Sequence, residues 1–362
     1  MLCQSIPLYD RDKFKADMRE YSAPKLEKNY NLDRYLAMSV VQKSIRRGEL
    51  GLALTSGGYL LENFPQVFWK RLQIIALEDV GLANPALVEQ VIDVASDTPS
   101  LVGCGGLEKV AAFLMEKLCF SQKDRSTDDL FDVMSRDPIC ANNCTTLIES
   151  RENGDLYVLD GDVFGRVLSI IPPGQREIVW DSYLRRADEW MMMMEGVEFN
   201  APASIIALSS KASRRTRSML APMLLALSPE FPVSVQEADD FFLPEESYKG
   251  VPTWACGMHT RVGLAGLRQY AKHSPRVGKL LKQGKTGEVS TSKVLGGLLF
   301  RMECGQLQKR VDWFLGRSLK DRATELGWGV SDECVPDLLC TMKEEWNLLN
   351  ACRLSALQDY LR

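Results

Sequence analysis

Clusters of positively charged side chains are the first feature of this sequence that could do chemistry. Lys43, Arg46 and Arg47 are spaced i, i+3 and i+4, so on a helix they share one face. A second cluster interleaves cations with serine and threonine hydroxyls, and both kinds of group donate hydrogen bonds to phosphate oxygens. It consists of Lys211, Arg214, Arg215 and Arg217. The third set lies at largely helical intervals and consists of His259, Arg261, Arg268, Lys272, Arg276, Lys279, Lys282 and Lys285. Because the net charge is −4, such clustering predicts a polyanion-binding surface.

Two adjacent carboxylates, Glu78 and Asp79, together with His259 give an alternative, enzymatic interpretation. Carboxylates and a histidine can hold a metal ion or exchange a proton, which predicts a metal-dependent nuclease or transferase. Adjacent residues on a helix point about 100° apart, however, and cannot easily share one ion. A structural ion pair is therefore the favoured interpretation of these carboxylates. Its candidate partners are Arg46, Arg47 and Arg71.

Motifs for metals and nucleotides are weak in this chain. Cys140 and Cys144 form one close pair and Cys256 and His259 another, but the tight Cys-x2-Cys repetition of structural zinc sites does not occur. Buried reduced thiols are the favoured interpretation, and a zinc site built from these four residues stays open. Residues 278–286 have one residue too many for a phosphate-binding loop and follow a polar segment. We therefore expect no cofactor and no ATPase site.

Length and composition are those of a soluble globular protein. The chain has 362 residues, of which 45% are hydrophobic and 25% charged. Its longest useful apolar run, residues 219–227, is far shorter than the roughly 20 residues that span a bilayer. The N-terminus has neither the basic start nor the apolar core of a secretory signal. We expect a cytoplasmic protein without a membrane partner.

The apolar residues recur at helical spacing almost throughout, which predicts an all-α fold. Residues 33–48 place an apolar stripe on one face, and Gly48 is suited to end that helix. Pro65 opens a second helix that is predicted to continue to Gly81. Turn-forming residues are frequent between 135 and 162, which suggests a helical domain over 1–145 and a second helical lobe over 155–362. An acidic, proline-containing stretch near 228–252 is predicted to be a loop or lid.

Two motifs give the chain a family resemblance. The first is Lys43-Ser44-Ile45-Arg46-Arg47-Gly48 and the second is Glu78-Asp79-Val80-Gly81-Leu82-Ala83-Asn84-Pro85. In this order they resemble the C-terminal helical region of replication-associated AAA+ ATPases of the RarA/MgsA type. Shorter matches are Lys123-Asp124-Arg125 and His259-Thr260-Arg261-Val262-Gly263, and the clearer part of the resemblance covers residues 34–135. Asp124 and residues 55–58 depart from the family pattern. Only 42 residues precede Lys43, so we expect a stand-alone, phage- or plasmid-type relative without the ATPase module.

The resemblance implies a helical bundle like the collar of clamp loaders, which self-associates into an oligomer. We predict a non-enzymatic accessory protein of DNA replication, recombination or repair that binds DNA, or a host replication or repair protein, through basic helical faces. Single-stranded, duplex and branched DNA all remain candidates. The metal-dependent enzyme is one alternative, and an inhibitor of a host AAA+ or repair complex is another. The candidate nucleic-acid contacts are Lys43, Arg46, Arg47, Lys123, Arg125, Lys211, Arg214, Arg215, Arg217, His259 and Arg261.

Overall fold

The described part of the chain is mostly helical, which confirms the predicted all-α fold class. The computed structural model describes residues 10–26, 30, 32–96, 105–129, 132 and 236–362. Its N-terminal helices are α1 (Arg11–Glu20), α2 (Arg34–Arg47), α3 (Leu50–Asn63), α4 (Pro65–Ile75), α5 (Pro85–Ser96) and α6 (Leu107–Phe120). The predicted domain boundary, Cys140, Cys144 and the cluster from Lys211 to Arg217 lie outside the described residues.

Helix ends in this lobe follow the local sequence. Asp33 caps α2, because its Oδ1 accepts hydrogen bonds from the backbone N–H groups of Tyr35 at 2.7 Å and Leu36 at 3.0 Å. Gly48 ends α2 as predicted, with φ +70°, a conformation that glycine adopts without strain. Pro65 opens α4, also as predicted. The helix does not continue unchanged to Gly81.

A π-helical turn, Ala76–Val80, follows α4, and a 3-10 turn, Gly81–Ala83, follows that turn. A π turn has a wider spacing of hydrogen bonds than an α-helix, and such turns occur often at functional or specialised sites. Here the wider turn carries the consecutive carboxylates Glu78 and Asp79, and both are buried. The prediction of one uniform α-helix from Pro65 to Gly81 is therefore wrong after Ile75, where the π turn and then the 3-10 turn follow.

The C-terminal helices form a second group. They are α7 (Arg261–His273), α8 (Pro275–Gly284), α9 (Thr291–Leu299), α10 (Phe314–Glu325), α11 (Val335–Glu344) and α12 (Trp346–Tyr360). A second π turn, Phe300–Cys304, follows α9. Within the described ranges, no helix combines the length and the apolar character that crossing a membrane requires.

The described residues also include four short strands. Strand β1 (Gln236–Ala238) pairs antiparallel with β4 (Arg310–Asp312), and Glu237 lies opposite Val311. Strands β2 (Ser247–Tyr248) and β3 (Val251–Pro252) form a hairpin whose turn has positive φ at Lys249 and Gly250. Between β1 and β2, residues 239–246 of the predicted acidic loop have no regular secondary structure. Asp240 holds this stretch by accepting hydrogen bonds from Arg310 at 2.6 and 2.8 Å.

The described residues form two hydrophobic cores. The first core gathers α1 to α6 around residues such as Leu36, Phe68 and Leu114, but it also takes in Trp254, Val262 and Leu357 from the C-terminal half. The second core lies between α7, α8, α9, α11 and α12. Segments from both halves of the chain therefore build the first core together.

Candidate functional site

The segments that carry the family resemblance meet at a buried group of charges. We call Arg46, Glu78, Asp79, Arg125 and Asp128 the ionic cluster. Asp79 is fully buried and accepts a hydrogen bond from Arg46 Nε at 2.6 Å and another from the Arg125 guanidinium. The Arg125 guanidinium also pairs with Asp128, while Glu78 Oε2 lies 3.7 Å from Arg46 Nη2. Such charge-assisted bonds are stronger than neutral ones, and this cluster ties α2, the π turn and the segment after α6 together.

Gly81 and Asp124 allow the π turn to pack closely against the segment after α6. Gly81 has φ +47° and ψ −131°, and an ideal Cβ built on it would lie 2.5 Å from the backbone oxygen of Asp124. The Asp124 backbone N–H donates to the backbone oxygen of Asp79 at 3.1 Å. The glycine of the Glu-Asp-Val-Gly motif is therefore required both by its backbone conformation and by the close approach of another backbone.

Lys43, which lies one turn before Arg46 on α2, belongs to a second group of buried charges. Its Nζ donates to the backbone oxygen of Trp254 and lies 3.5 Å from Glu303 Oε2. Glu303 in turn accepts two hydrogen bonds from Arg353 Nη1, each of 2.9 Å, and Arg353 is fully buried. This group joins α2 to the second π turn and to α12.

Burial shifts the pKa values of the segment that follows α6. Lys123 is fully buried, and its Nζ donates to the backbone oxygens of Cys119 at 2.7 Å and Ser121 at 2.9 Å. Burial lowers the pKa of Lys123 to about 8, because the charged form loses its hydration. Burial raises the pKa of Asp129 to about 6, and it raises the pKa of Asp124 and of Asp128 as well.

Four of the predicted nucleic-acid contacts are interior residues. Lys43, Arg46, Lys123 and Arg125 are 7%, 3%, 0% and 1% exposed. The expectation that they form solvent-facing basic surfaces is wrong, because carboxylates and backbone oxygens within the protein already accept their hydrogen bonds. The predicted structural ion pair between the motif carboxylates and Arg46 is confirmed.

Two other arginines near the motif carboxylates have different partners from those predicted. Arg47 is partly buried and pairs with Glu49 and Glu245, and its guanidinium lies 4.3 Å from the ring centroid of Phe242. Arg71 donates to Gln42 Oε1 at 3.0 Å. Arg47 is therefore not an unpaired cation available to a phosphate.

The metal-dependent alternative is not supported by the placement of its residues. Glu78, Asp79 and His259 all lie in the described part of the chain, where no group of three His, Cys, Asp or Glu side chains could hold a metal ion. His259 is exposed and packs edge-on against Phe300, with ring centroids 6.1 Å apart. The metal site of this alternative interpretation is therefore not found among the described residues. Cys256 is a buried thiol whose pKa burial raises to about 12.

A basic surface is exposed on the described C-terminal helices. Residues 261–285 contain seven lysines and arginines and no aspartate or glutamate. The seven side chains all face solvent on α7 and α8 or directly after them, and we call them the basic face: Arg261, Arg268, Lys272, Arg276, Lys279, Lys282 and Lys285. Among the described residues, only Arg276 of this set forms an ion pair, with Glu344 at 2.6 Å.

Helical geometry aligns the basic face. At about 100° per residue, Arg261, Arg268 and Lys272 fall within an arc of about 40° on α7. Thr260 caps this helix by accepting a hydrogen bond from Gly263 N at 3.0 Å. On α8, Val277 and Leu281 are buried while Lys279 and Lys282 point away from them. Both helices therefore bury an apolar stripe and present cations on the opposite side.

No family model, curated protein or solved structure matches the chain. The exposure and charge of the basic face are therefore the observations on which a functional proposal can rest. Of the predicted contact set, only Arg261 belongs to this face, and exposed His259 lies just before it. The other six cations of the basic face are indicated in the sequence by the complete absence of aspartate and glutamate over residues 261–285.

Lys123 should make the stability of the protein depend on pH. Its pKa of about 8 in the folded protein lies below the ordinary value of 10.5, so between these two pH values the unfolded chain binds a proton that the folded chain does not. The free energy of unfolding should therefore rise with pH across this interval, by about 3 kcal/mol from this group. Denaturant titrations of wild type and Lys123→Met at pH 7.5 and pH 10 would measure it, and parallel pH profiles of the two proteins would contradict it.

Proposed function

We propose that this protein binds nucleic acid through phosphate contacts made by the basic face. The observation that carries the proposal is seven exposed cations within 25 residues without one carboxylate among them, in a chain whose net charge is −4. A cationic stripe on an acidic protein concentrates positive potential on one side, which attracts polyanions and orients them.

The alignment of the cations suits a phosphate backbone. Arg261 and Lys272 are 11 positions apart, or about 16 Å along the axis of α7, which is long enough to contact several successive phosphates. Six of the seven side chains have no ion-pair partner among the described residues, so no internal carboxylate has to be displaced before they bind.

The role in replication, recombination or repair, and the self-association, are supported by the resemblance to the collar region of RarA/MgsA-type ATPases. We propose DNA as the nucleic acid on that basis. The convergence of the motif segments on the ionic cluster gives them a structural role in this proposal. They hold the helical lobe together, and the DNA contacts are made elsewhere, by α7 and α8.

Salt-dependent binding of labelled DNA tests the proposal. We expect wild-type protein to bind in fluorescence anisotropy, and the triple variant Arg268→Glu, Lys272→Glu, Lys279→Glu to lose affinity on the order of 100-fold at about 0.1 M salt. The slope of log affinity against log salt should also decrease by about 2 to 3, since three phosphate contacts are removed.

A matched control changes the same charge elsewhere. Lys13, Arg19 and Lys25 are exposed cations in and after α1, and changing all three to glutamate alters the net charge equally. This control should keep most of the affinity, because it leaves the basic face intact. Absence of wild-type binding at low salt, or an equal loss in both triple variants, would overturn the proposal. The next experiment would then be a search for a host replication protein as partner.

A further inference from the structure

Four tyrosines lie together where the beginning of α2 meets the end of α12. We call Tyr30, Tyr35, Tyr248 and Tyr360 the tyrosine patch. The Tyr360 hydroxyl accepts a hydrogen bond from the backbone N–H of Asp33 at 2.9 Å and donates to Asp33 Oδ2 at 3.0 Å. Since Asp33 also caps α2 at Tyr35, this one carboxylate connects Tyr360 to Tyr35.

The turn between β2 and β3 brings the other two tyrosines to the same place. Lys249, next to Tyr248, donates from Nζ to the backbone oxygen of Leu361 at 2.7 Å. The Tyr30 hydroxyl donates to the backbone oxygen of Gly250 at 2.9 Å. Lys249 has φ +49° and Gly250 has φ +76°, so the chain reverses direction within a tight turn. The hydrogen bond from Lys249 to Leu361 holds this turn at the end of α12.

Two rings of this patch are exposed, and two cations lie against its rings. Tyr35 is 44% exposed and Tyr360 is 38% exposed. The Arg34 guanidinium lies 4.8 Å from the ring centroid of Tyr35, and Lys249 Nζ lies 5.5 Å from that of Tyr248. Neither cation forms an ion pair with a carboxylate of the described residues. The patch thus combines exposed aromatic rings with two cations that form no ion pair among the described residues, beside the Asp33 carboxylate.

The patch lies at one end of the helix pair that carries the basic face. Helices α7 and α12 pack antiparallel, because Gly266 lies against Arg353 while the Tyr270 hydroxyl donates to Glu345 at 2.9 Å. Val262 accordingly shares a core with Leu357. Arg261, which begins the row of cations, is therefore at the same end of the pair as Tyr360.

We propose that the tyrosine patch stacks unpaired bases of single-stranded nucleic acid whose phosphates follow the basic face. This inference rests on the proposed function and adds the substrate class to it. Bases in a duplex are already stacked on each other, whereas the bases of a single strand have free faces for aromatic side chains. One base stacked on an aromatic side chain changes affinity by about 5- to 150-fold. The protein therefore prefers single strands to duplexes.

Abasic oligonucleotides separate base stacking from phosphate binding. We expect the full-length protein to bind a labelled 20-nucleotide single strand at least tenfold more tightly than a phosphodeoxyribose oligomer of equal length that lacks bases. The double variant Tyr35→Leu, Tyr360→Leu should lose this advantage, while its affinity for the abasic oligomer and its salt slope stay at wild-type values.

Two control variants show whether the aromatic rings of the patch cause the effect. Tyr35→Phe, Tyr360→Phe retains both rings and removes only the hydroxyls, so it should bind single strands as wild type does. Phe120→Leu removes a half-exposed ring far from the patch in sequence and should change nothing. Equal wild-type affinity for the two oligomers, with normal salt dependence, would overturn the stacking inference and leave phosphate binding intact. Absence of binding to either oligomer would instead overturn the proposed function.

Discussion

Replacing Asp79 with alanine should lower the free energy of unfolding by about 3–5 kcal/mol, because it leaves buried arginines without their carboxylate. Asp79 is fully buried between the guanidinium groups of Arg46 and Arg125. Arg125 keeps Asp128 as a partner, and Glu78 Oε2 lies 3.7 Å from Arg46 Nη2. Chemical denaturation monitored by circular dichroism would measure the loss.

A second substitution separates two causes of this loss of stability: the buried arginine charge that has lost Asp79, and the loss of side-chain packing at position 79. If the loss arises because the buried Arg46 guanidinium no longer contacts Asp79, the double variant Asp79→Ala, Arg46→Met should be more stable than Asp79→Ala alone. Glu78→Gln serves as the matched control, since Glu78 is slightly exposed and a neutral amide can still bond to Gln42. Equal destabilisation by Glu78→Gln and Asp79→Ala would contradict the central role of Asp79 in the ionic cluster.

Gly81→Ala should be about as damaging, for a reason of backbone geometry. At φ +47° and ψ −131° a side chain is strained, which alone costs about 1–3 kcal/mol. The new Cβ would also lie 2.5 Å from the backbone oxygen of Asp124, and a backbone atom cannot move aside as the end of a flexible side chain does. We expect a total loss of about 3–5 kcal/mol, measured by thermal and chemical unfolding.

Gly51 provides the opposite case within the same lobe. It lies in α3, is exposed, and has open space where a Cβ would be. Gly51→Ala should therefore stabilise the protein by about 0.5–1 kcal/mol, because alanine restricts the unfolded chain and favours a helix. A similar loss of stability in both variants would show that the close contact at Gly81 has no special cost.

The local sequence predicts the helices of this protein well, since their ends are determined by neighbouring residues. Asp33, Gly48 and Pro65 have the roles that their positions suggest. The apolar stripe predicted over residues 33–48 is buried at Leu36, Val40, Val41 and Ile45. The π turn at Ala76–Val80 could not be predicted this way. It depends on contacts between Asp79 and residues 46 and 125, which are distant in the sequence.

The same distinction explains which basic residues were placed correctly. Helical spacing shows that Lys43 and Arg46 share a side of α2, but it does not show what packs against that side. In the folded protein Trp254 and Glu303, more than 200 positions later, cover Lys43. On α7 and α8 the absence of acidic residues is the more informative sequence feature, because cations without nearby carboxylates are seldom buried.

Helix α2 has a further consequence for how binding and unfolding are connected. One side of it takes part in the ionic cluster, and Lys43 reaches Glu303 and Arg353 of the C-terminal helices. The two halves should consequently melt in one cooperative transition, and a C-terminal fragment carrying the basic face would expose Trp254, Val262 and Leu357. A ligand bound only to α7 and α8 would then raise the melting temperature of the N-terminal helices as well, by mass action on the whole molecule.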